Sequence, residues 1–184
     1  MARLKREDWL EQGLMTLAEK GVDALTIDAM CQLLSVTKGS FYHHFQNRDA
    51  FLEAILSYWE DKFTKQFIEF SQEGLSTQEK IERLHQRVIE SYGTYEVNIR
   101  AWAQLDLLAR KFQERVDQQR LNFLYELQKE MLSDEKVART MAQLQYATLI
   151  GSTGIIPHLE ADDLENMYQL LARLSIAIQE DEKQ

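Results

Sequence analysis

The chain has 184 residues, of which 45% are hydrophobic and 28% are charged, and its formal net charge is −9. This composition is that of a folded protein and excludes a disordered chain, and one proline with seven glycines favours an all-α fold. No apolar run reaches the roughly 20 residues that span a bilayer, and the first residues lack the pattern of a secretory signal. A single cysteine, Cys31, excludes an internal disulfide, so we expect a cytoplasmic protein without a membrane partner.

The first 48 residues predict three helices, because apolar side chains recur there at helical spacing. The predicted ranges are 7–20, 27–34 and 38–44. Thr26 and Thr37 occupy the N-cap positions of the second and third of these helices. Phe41 and Phe45 are four residues apart in the third helix, so both can face the core.

The rest of the chain predicts a bundle of longer helices with short connections. Apolar spacing and capping signals give helices over 49–71, from Ser76 onward, 98–108, 112–132, 135–156 and from Asp162 onward. We place the junction between the helices 98–108 and 112–132 at Arg110-Lys111. The fold expected from these elements has no flexible linker between its parts.

Two short helices joined by a turn and preceded by a longer helix form the helix-turn-helix arrangement. The sequence Val-Thr-Lys-Gly-Ser at 36–40, followed by Phe-Tyr-His-His-Phe at 41–45, resembles the DNA-binding domain of TetR-family transcriptional regulators. The resemblance covers residues 6–55. Leu34-Ser35 replaces the Ala-Gly that is usual at this turn, and serine tolerates a positive φ less well than glycine.

The resemblance implies an N-terminal helix-turn-helix DNA-binding domain over residues 1–48 and a helical effector-binding and dimerisation domain over 49–184. It implies a homodimeric repressor that binds a palindromic operator in double-stranded DNA and needs no cofactor. An effector in the second domain would shift the long helix after residue 48 and separate the two recognition helices. The residues expected to contact DNA are Thr26, Thr37, Lys38, Gly39, Ser40, Tyr42, His43, His44 and Arg48.

Physical chemistry gives several of these residues a reason to face DNA. Free N–H groups at a helix N-terminus attract a phosphate, although Thr26 and Thr37 could equally be ordinary caps. Lys38 can reach a phosphate or a guanine edge, and a solvated lysine is the alternative. Gly39 permits a close approach of the backbone to DNA, or it marks an irregular helix start.

The other predicted contacts follow from the same resemblance. We expect Ser40, Tyr42 and His43 to be exposed, with Tyr42 on a phosphate and the other two, with Lys38, nearest the bases. His44 would contact phosphate or pack, and Arg48 would bind phosphate. The basic residues Arg3, Lys5 and Arg6 could form an arm that reaches the DNA backbone or minor groove.

Aromatic residues are frequent in the middle helices, where core packing is the simplest interpretation. The resemblance adds an effector pocket for an apolar or aromatic small molecule, lined by Trp59, Phe63, Tyr92, Trp102, Phe123 and Tyr146. The last two helices are apolar on several sides and are expected to pair with a second copy. The predicted contacts of that dimer are Gly151, Gly154, Leu164, Leu171, Leu174 and Ile178.

An enzyme and a metal-binding protein are further functional classes that a sequence with these residues could indicate. No phosphate loop, nucleophile elbow or spaced set of metal ligands occurs, so we expect no enzyme and no metal site. His43 and His44 are neighbours that point about 100° apart on a helix, which does not suit one ion. The alternative is an all-α ligand-binding or protein-interaction module without DNA binding. The net charge and Asp28 near the DNA face favour it, although residues 1–48 contain six basic and six acidic groups.

Overall fold

A computed structural model of the chain describes residues 4–93 and 95–181. Every regular element in these ranges is helical, which confirms the all-α prediction, and none is long and apolar enough to cross a membrane. The elements are α1 (Arg6–Lys20), a 3₁₀ turn (Val22–Ala24), α2 (Ile27–Leu33), α3 (Lys38–His44), α4 (Arg48–Glu60), a π-helical segment (Asp61–Lys65), α5 (Gln66–Gln72), α6 (Thr77–Glu90), α7 (Glu96–Leu105), α8 (Leu107–Met131), α9 (Glu135–Gly154) and α10 (Ala161–Asp181).

One predicted helix changes its geometry internally, and one predicted junction is wrong. The helix expected over 49–71 changes to π-helical geometry at Asp61–Lys65 before α5 begins. The break expected at Arg110-Lys111 falls instead at Asp106, whose Oδ1 accepts a hydrogen bond from the N–H of Ala109 at 2.9 Å and so caps α8. Arg110 lies inside α8 and donates to the carbonyl oxygen of Ala103 at 3.1 Å, which stabilises the C-terminal end of α7.

The helices form two compact units, of which the first contains residues 1–63 and 94–115. Its aromatic core lies under α3: the ring of Trp9 meets those of Phe41 and Phe45 edge-on, with centroids 5.5 and 6.3 Å apart. Such pairs contribute about 0.5–1.5 kcal/mol each beyond the area they bury. A Cβ on Gly13 would lie 2.6 Å from Cδ1 of Ile55, so this glycine lets α1 approach α4 closely.

The second unit contains residues 64–93 and 116–184, and its described core includes polar side chains. Gln128 on α8 donates to Oε1 of Gln145 on α9 and accepts from Oγ of Ser175 on α10, both at 3.3 Å. The rings of His85 on α6 and Tyr168 on α10 are stacked. Hydrogen bonding between buried polar groups links the three helices α8, α9 and α10.

The two compact units do not divide the chain at residue 48. Helices α4 and α7 both pack against α1, so they belong to the same unit as the three N-terminal helices. A compact unit is defined by packing, whereas the division into 1–48 and 49–184 concerns function. That functional division therefore stays a prediction.

Candidate nucleic-acid interface

The turn between α2 and α3 is tight and locally determined. Thr26 caps α2, because its Oγ1 accepts a hydrogen bond from the N–H of Ala29 at 3.2 Å. Thr37 stands in the N-cap position of α3 with extended backbone, but its hydroxyl accepts no capping hydrogen bond. Ser35 has φ 55°, a left-handed conformation that glycine adopts at lower cost, and its N–H donates to the carbonyl oxygen of Gln32 at 3.1 Å.

Helix α3 has one buried face and one exposed face, as its phenylalanine spacing predicted. Phe41 and Phe45 are buried, whereas the side chain of Tyr42 is 54% exposed. The exposed residues around Tyr42 are Thr37, Lys38, Gly39 and His43. Ser40 is half-buried, so it is less accessible than we predicted. The helix therefore offers a cation, a phenol and an imidazole on one accessible side.

An ion pair joins α2 and α3 across this accessible side. Nζ of Lys38 lies 2.7 Å from Oδ1 of Asp28, and the two side chains are 58% and 74% exposed. The hydrogen bond to the Asp28 carboxylate raises the pKa of Lys38 above its ordinary value. Sequence reasoning did not pair them, because ten residues and a turn separate the two positions.

His44 and Arg48 make contacts within the protein. Nε2 of His44 lies 3.2 Å from the carbonyl oxygen of Leu4, and its ring lies near that of Trp9. This arrangement matches the packing alternative for His44. Arg48 donates from Nε to the carbonyl oxygen of Leu25 at 2.6 Å, and from a terminal nitrogen to that of Val22 at 3.0 Å. Two of its five donors thus hold the segment before α2, a role that the sequence did not reveal.

The predicted basic arm has ordered contacts where it is described. The backbone N–H of Lys5 donates to Oδ2 of Asp8 at 2.6 Å, which caps α1. Arg6 is the first residue of α1, and its guanidinium lies 5.1 Å from the ring centroid of Phe45. Arg3 lies outside the described residues. Lys5 and Arg6 are therefore part of the folded domain and do not form a free arm.

The six aromatic residues predicted to line an effector pocket are divided between the two units. Trp59, Phe63 and Trp102 belong to the first unit, where the two tryptophans are buried. Tyr92, Phe123 and Tyr146 belong to the second, where the hydroxyl of Tyr146 donates to Oδ1 of Asp117 at 2.6 Å. Trp59 is almost fully buried, which matches the core-packing interpretation for this residue. Among the described residues, no cluster of three or more His, Cys, Asp or Glu is placed to bind a metal.

The predicted dimer contacts differ in their exposure. Gly151 and Gly154 are exposed on α9, and a Cβ at either would meet no other atom within 4 Å. Leu174 on α10 is exposed, whereas Leu171 and Ile178 are half-buried against a cluster formed by Leu132, Ala138 and Met141. Leu164 was wrongly predicted as a dimer contact, because it is fully buried inside its own unit.

Known proteins are similar in sequence to this chain over the same N-terminal segment. The family described as "Bacterial regulatory proteins, tetR family" matches residues 10–55. The chain is 33% identical over 64 residues to the transcriptional regulator AcuR of Cereibacter sphaeroides, and 38% identical over 55 residues to the class D tetracycline repressor of Escherichia coli. These segments are 35% and 30% of this chain, and they span 29% and 25% of the two relatives.

The likeness of the fold extends over most of the chain. The crystal structure of SCO4454, a TetR-family transcriptional regulator from Streptomyces coelicolor, superposes with a TM-score of 0.78 at 12% identity. The superposition covers 94% of this chain and 88% of SCO4454. The segment 10–55 therefore belongs to the tetR family of bacterial regulatory proteins, and the chain shares its fold with the TetR-family regulator SCO4454.

Proposed function

We propose that the chain acts as a homodimeric transcriptional repressor that binds a palindromic operator and is released by a small-molecule effector. The observation that carries this proposal is the division of α3 into two faces. Phe41 and Phe45 anchor the helix in the aromatic core, so Lys38, Tyr42 and His43 remain accessible on its outer side. A short helix with hydrogen-bonding groups on its outer side fits the major groove of DNA.

In this proposal the residues around α3 divide into base and phosphate contacts. Lys38, Ser40 and His43 approach the base edges, while Tyr42 and the N-terminal ends of α2 and α3 contact phosphates. Thr26 and Thr37 lie at those two ends, and Thr37 has a hydroxyl that no capping bond uses. Gly39 meets only Oγ1 of Thr37, at 3.6 Å, so packing inside the chain does not require glycine there. Close approach to DNA is the reason we propose for it.

The exposed sides of α9 and α10 support a dimer. The two helices pack together. Leu144, Gly151 and Gly154 are exposed on α9, and Leu170 and Leu174 are exposed on α10. Exposed leucines at helical spacing on two adjacent helices favour burial against a second copy. A two-fold dimer presents two recognition helices, which is the symmetry that a palindromic operator requires.

For the effector, we propose an aromatic or largely apolar molecule bound in the domain 49–184. Tyrosine side chains suit such a pocket, because their rings form an apolar wall and their hydroxyls add a few polar groups. Burial is the largest cause that raises the pKa of the Tyr168 hydroxyl. Tyr146 and Tyr92 lie near enough to Tyr168 to raise this pKa further. A molecule that binds the DNA-incompetent state more tightly would lower operator affinity by shifting the population.

The decisive experiment selects duplexes from a randomised library with the wild-type chain and measures their affinity by fluorescence anisotropy. The double variant Lys38→Ala, Tyr42→Phe should lose at least tenfold in affinity for the enriched duplex. The matched control, Lys111→Ala with Tyr125→Phe, makes the same chemical changes outside α2 and α3 and should bind like wild type. Unchanged affinity in the first variant would refute the assignment of α3, and failure to enrich any duplex would favour the ligand-binding module.

A further inference from the structure

The charged groups of the helix-turn-helix are few and are paired with each other. Between residues 26 and 45 the sequence contains one acidic residue, Asp28, and one lysine or arginine, Lys38. Their side chains meet at 2.7 Å on the accessible side of α2 and α3. The segment that faces DNA in the proposed function therefore has no net charge from carboxylates, lysines and arginines.

This ion pair contributes little to the stability of the fold. Both side chains are more than half exposed, and exposed ion pairs are weak because water screens them and two side chains lose conformational freedom. Within the described residues, neither side chain makes another hydrogen bond or ion pair. A carboxylate on a surface that must approach phosphates lowers affinity for DNA in general. Asp28 lies in the first turn of α2, where a carboxylate interacts favourably with the helix dipole. That interaction does not require a lysine partner, and general affinity for DNA gives no reason for the ion pair.

We propose that Asp28 is a specificity-determining residue, which withholds Lys38 from the phosphates of arbitrary DNA and releases it where base edges replace the ion pair. This inference rests on the proposed function. The guanine edge offers O6 and N7 as acceptors for Lys38, and the cytosine amino group offers a donor to Asp28. On other sequences the pair stays closed, and the lysine neutralises no phosphate.

The test compares wild type with Asp28→Asn, a change that keeps the shape of the side chain and removes its charge. Two duplexes are used: the one enriched by the wild-type chain from a randomised library, and a scrambled duplex of the same composition. Asp28→Asn should bind the scrambled duplex three- to tenfold more tightly and discriminate at least fivefold less between the two. With Lys38 available to phosphates, the slope of log affinity against log salt should become steeper by about one.

Two further variants separate this role from a general effect of charge. In a Lys38→Gln background, Asp28→Asn should raise affinity for the scrambled duplex clearly less than it does in the wild-type background. Only the repulsion between the carboxylate and phosphates is then removed, because no lysine remains to be released. Asp23→Asn removes another exposed carboxylate of the first unit, on the turn before α2, and should also change that affinity less than twofold. Thermal unfolding of each variant verifies that it is folded.

The possible outcomes distinguish a failure of the role proposed for Asp28 from a failure of the proposed function. Unchanged discrimination in Asp28→Asn, or an equal effect of Asp28→Asn with and without Lys38, would overturn the role of Asp28. An Asp23→Asn variant that matches Asp28→Asn would also overturn it, since charge alone would then explain the result. If wild type enriches no duplex, the proposed function fails, and that result is distinct from the other outcomes.

Discussion

The imidazole ring of His85 lies parallel to the phenol ring of Tyr168, with centroids 3.9 Å apart and planes 4° from each other. His85 is buried in the second unit, and its Nε2 has no hydrogen-bond partner among the described residues. Burial disfavours the charged imidazolium and lowers the pKa of His85 to about 4, from 6.5. The folded protein therefore keeps this histidine neutral at pH values where the unfolded chain protonates it.

This difference in proton binding predicts a loss of stability in acid. Between pH 6.5 and 4 the unfolded state binds more protons at this site, so the free energy of unfolding should fall as pH falls, by about 3 kcal/mol from His85. Urea unfolding of wild type and His85→Phe across this range measures the effect. The difference between the two curves removes the contribution of carboxylates common to both. Parallel curves would contradict the prediction.

A second prediction concerns the ion pair between Glu60 and Arg115 in the first unit. The carboxylate of Glu60 is buried, and it accepts from Nε of Arg115 at 2.9 and 3.1 Å and from a terminal nitrogen of the same guanidinium. Arg115→Met leaves a buried carboxylate without this partner and should destabilise the protein by about 3 kcal/mol. Glu60→Met should cost less, because the half-exposed Arg115 can turn to water. Urea unfolding gives both values, and the reverse order would contradict this account.

Two roles of Arg48 can be separated by measurement: it can hold the segment before α2, or it can bind a phosphate. If its hydrogen bonds to the carbonyl oxygens of Leu25 and Val22 are its main task, Arg48→Gln should lower the free energy of unfolding by about 2 kcal/mol. If it mainly binds phosphate, the variant should keep its stability and lose affinity for the enriched duplex. We expect the loss of stability. Differential scanning calorimetry and fluorescence anisotropy on one preparation distinguish the two results.

The left-handed backbone conformation of Ser35 predicts that glycine at this position would stabilise the protein. Its φ of 55° costs a residue with a Cβ more than it costs glycine, so Ser35→Gly should raise the free energy of unfolding by about 0.5–1 kcal/mol. Ser35→Val should be destabilising, because a β-branched side chain tolerates this conformation least. Thermal unfolding of the two variants tests the order. Equal midpoints for both would show that the turn relaxes to another conformation.

The proposed dimer interface predicts that a charged substitution on α10 will lower the mass of the particle in solution. Leu174→Glu places a charge on the exposed side of α10 and should convert the dimer into a monomer at micromolar concentration. Leu75→Glu is the matched control, since Leu75 is almost fully exposed on the connection between α5 and α6. Light scattering after size-exclusion chromatography measures the mass of each. A wild-type monomer, or a Leu174→Glu dimer, would refute the proposed interface.

Local signals were enough to predict the helix-turn-helix. The predicted ranges 27–34 and 38–44 agree with α2 and α3 within one residue, because caps and the four-residue spacing of Phe41 and Phe45 act over short distances. Segment 61–65 escaped prediction because apolar spacing continues through it. The cap at Asp106 could have been recognised from its residue type.

Contacts between distant positions could not be predicted in the same way. The partners of Arg48 lie 23 and 26 residues away, and no periodic pattern joins them. Leu164 was assigned to a dimer surface from its hydrophobicity and from the family resemblance, whereas its burial depends on how α10 packs on its neighbours. The helical pattern gives the apolar side of a helix, but it does not say whether the same chain or a second copy covers it.

The hydrogen bonds of Arg48 have a consequence for local opening of the native state. They join the first residue of α4 to the backbone at Val22 and Leu25, so neither segment can open while the other stays fully bonded. The hydrogen-bonded amide protons of Ala24, Leu25, Thr26, Ala29 and Met30, and those of Ala50 and Phe51 in the first turn of α4, should therefore give a common opening free energy in hydrogen–deuterium exchange. The segment from Val22 into α2 and the start of α4 would then form one cooperative unit.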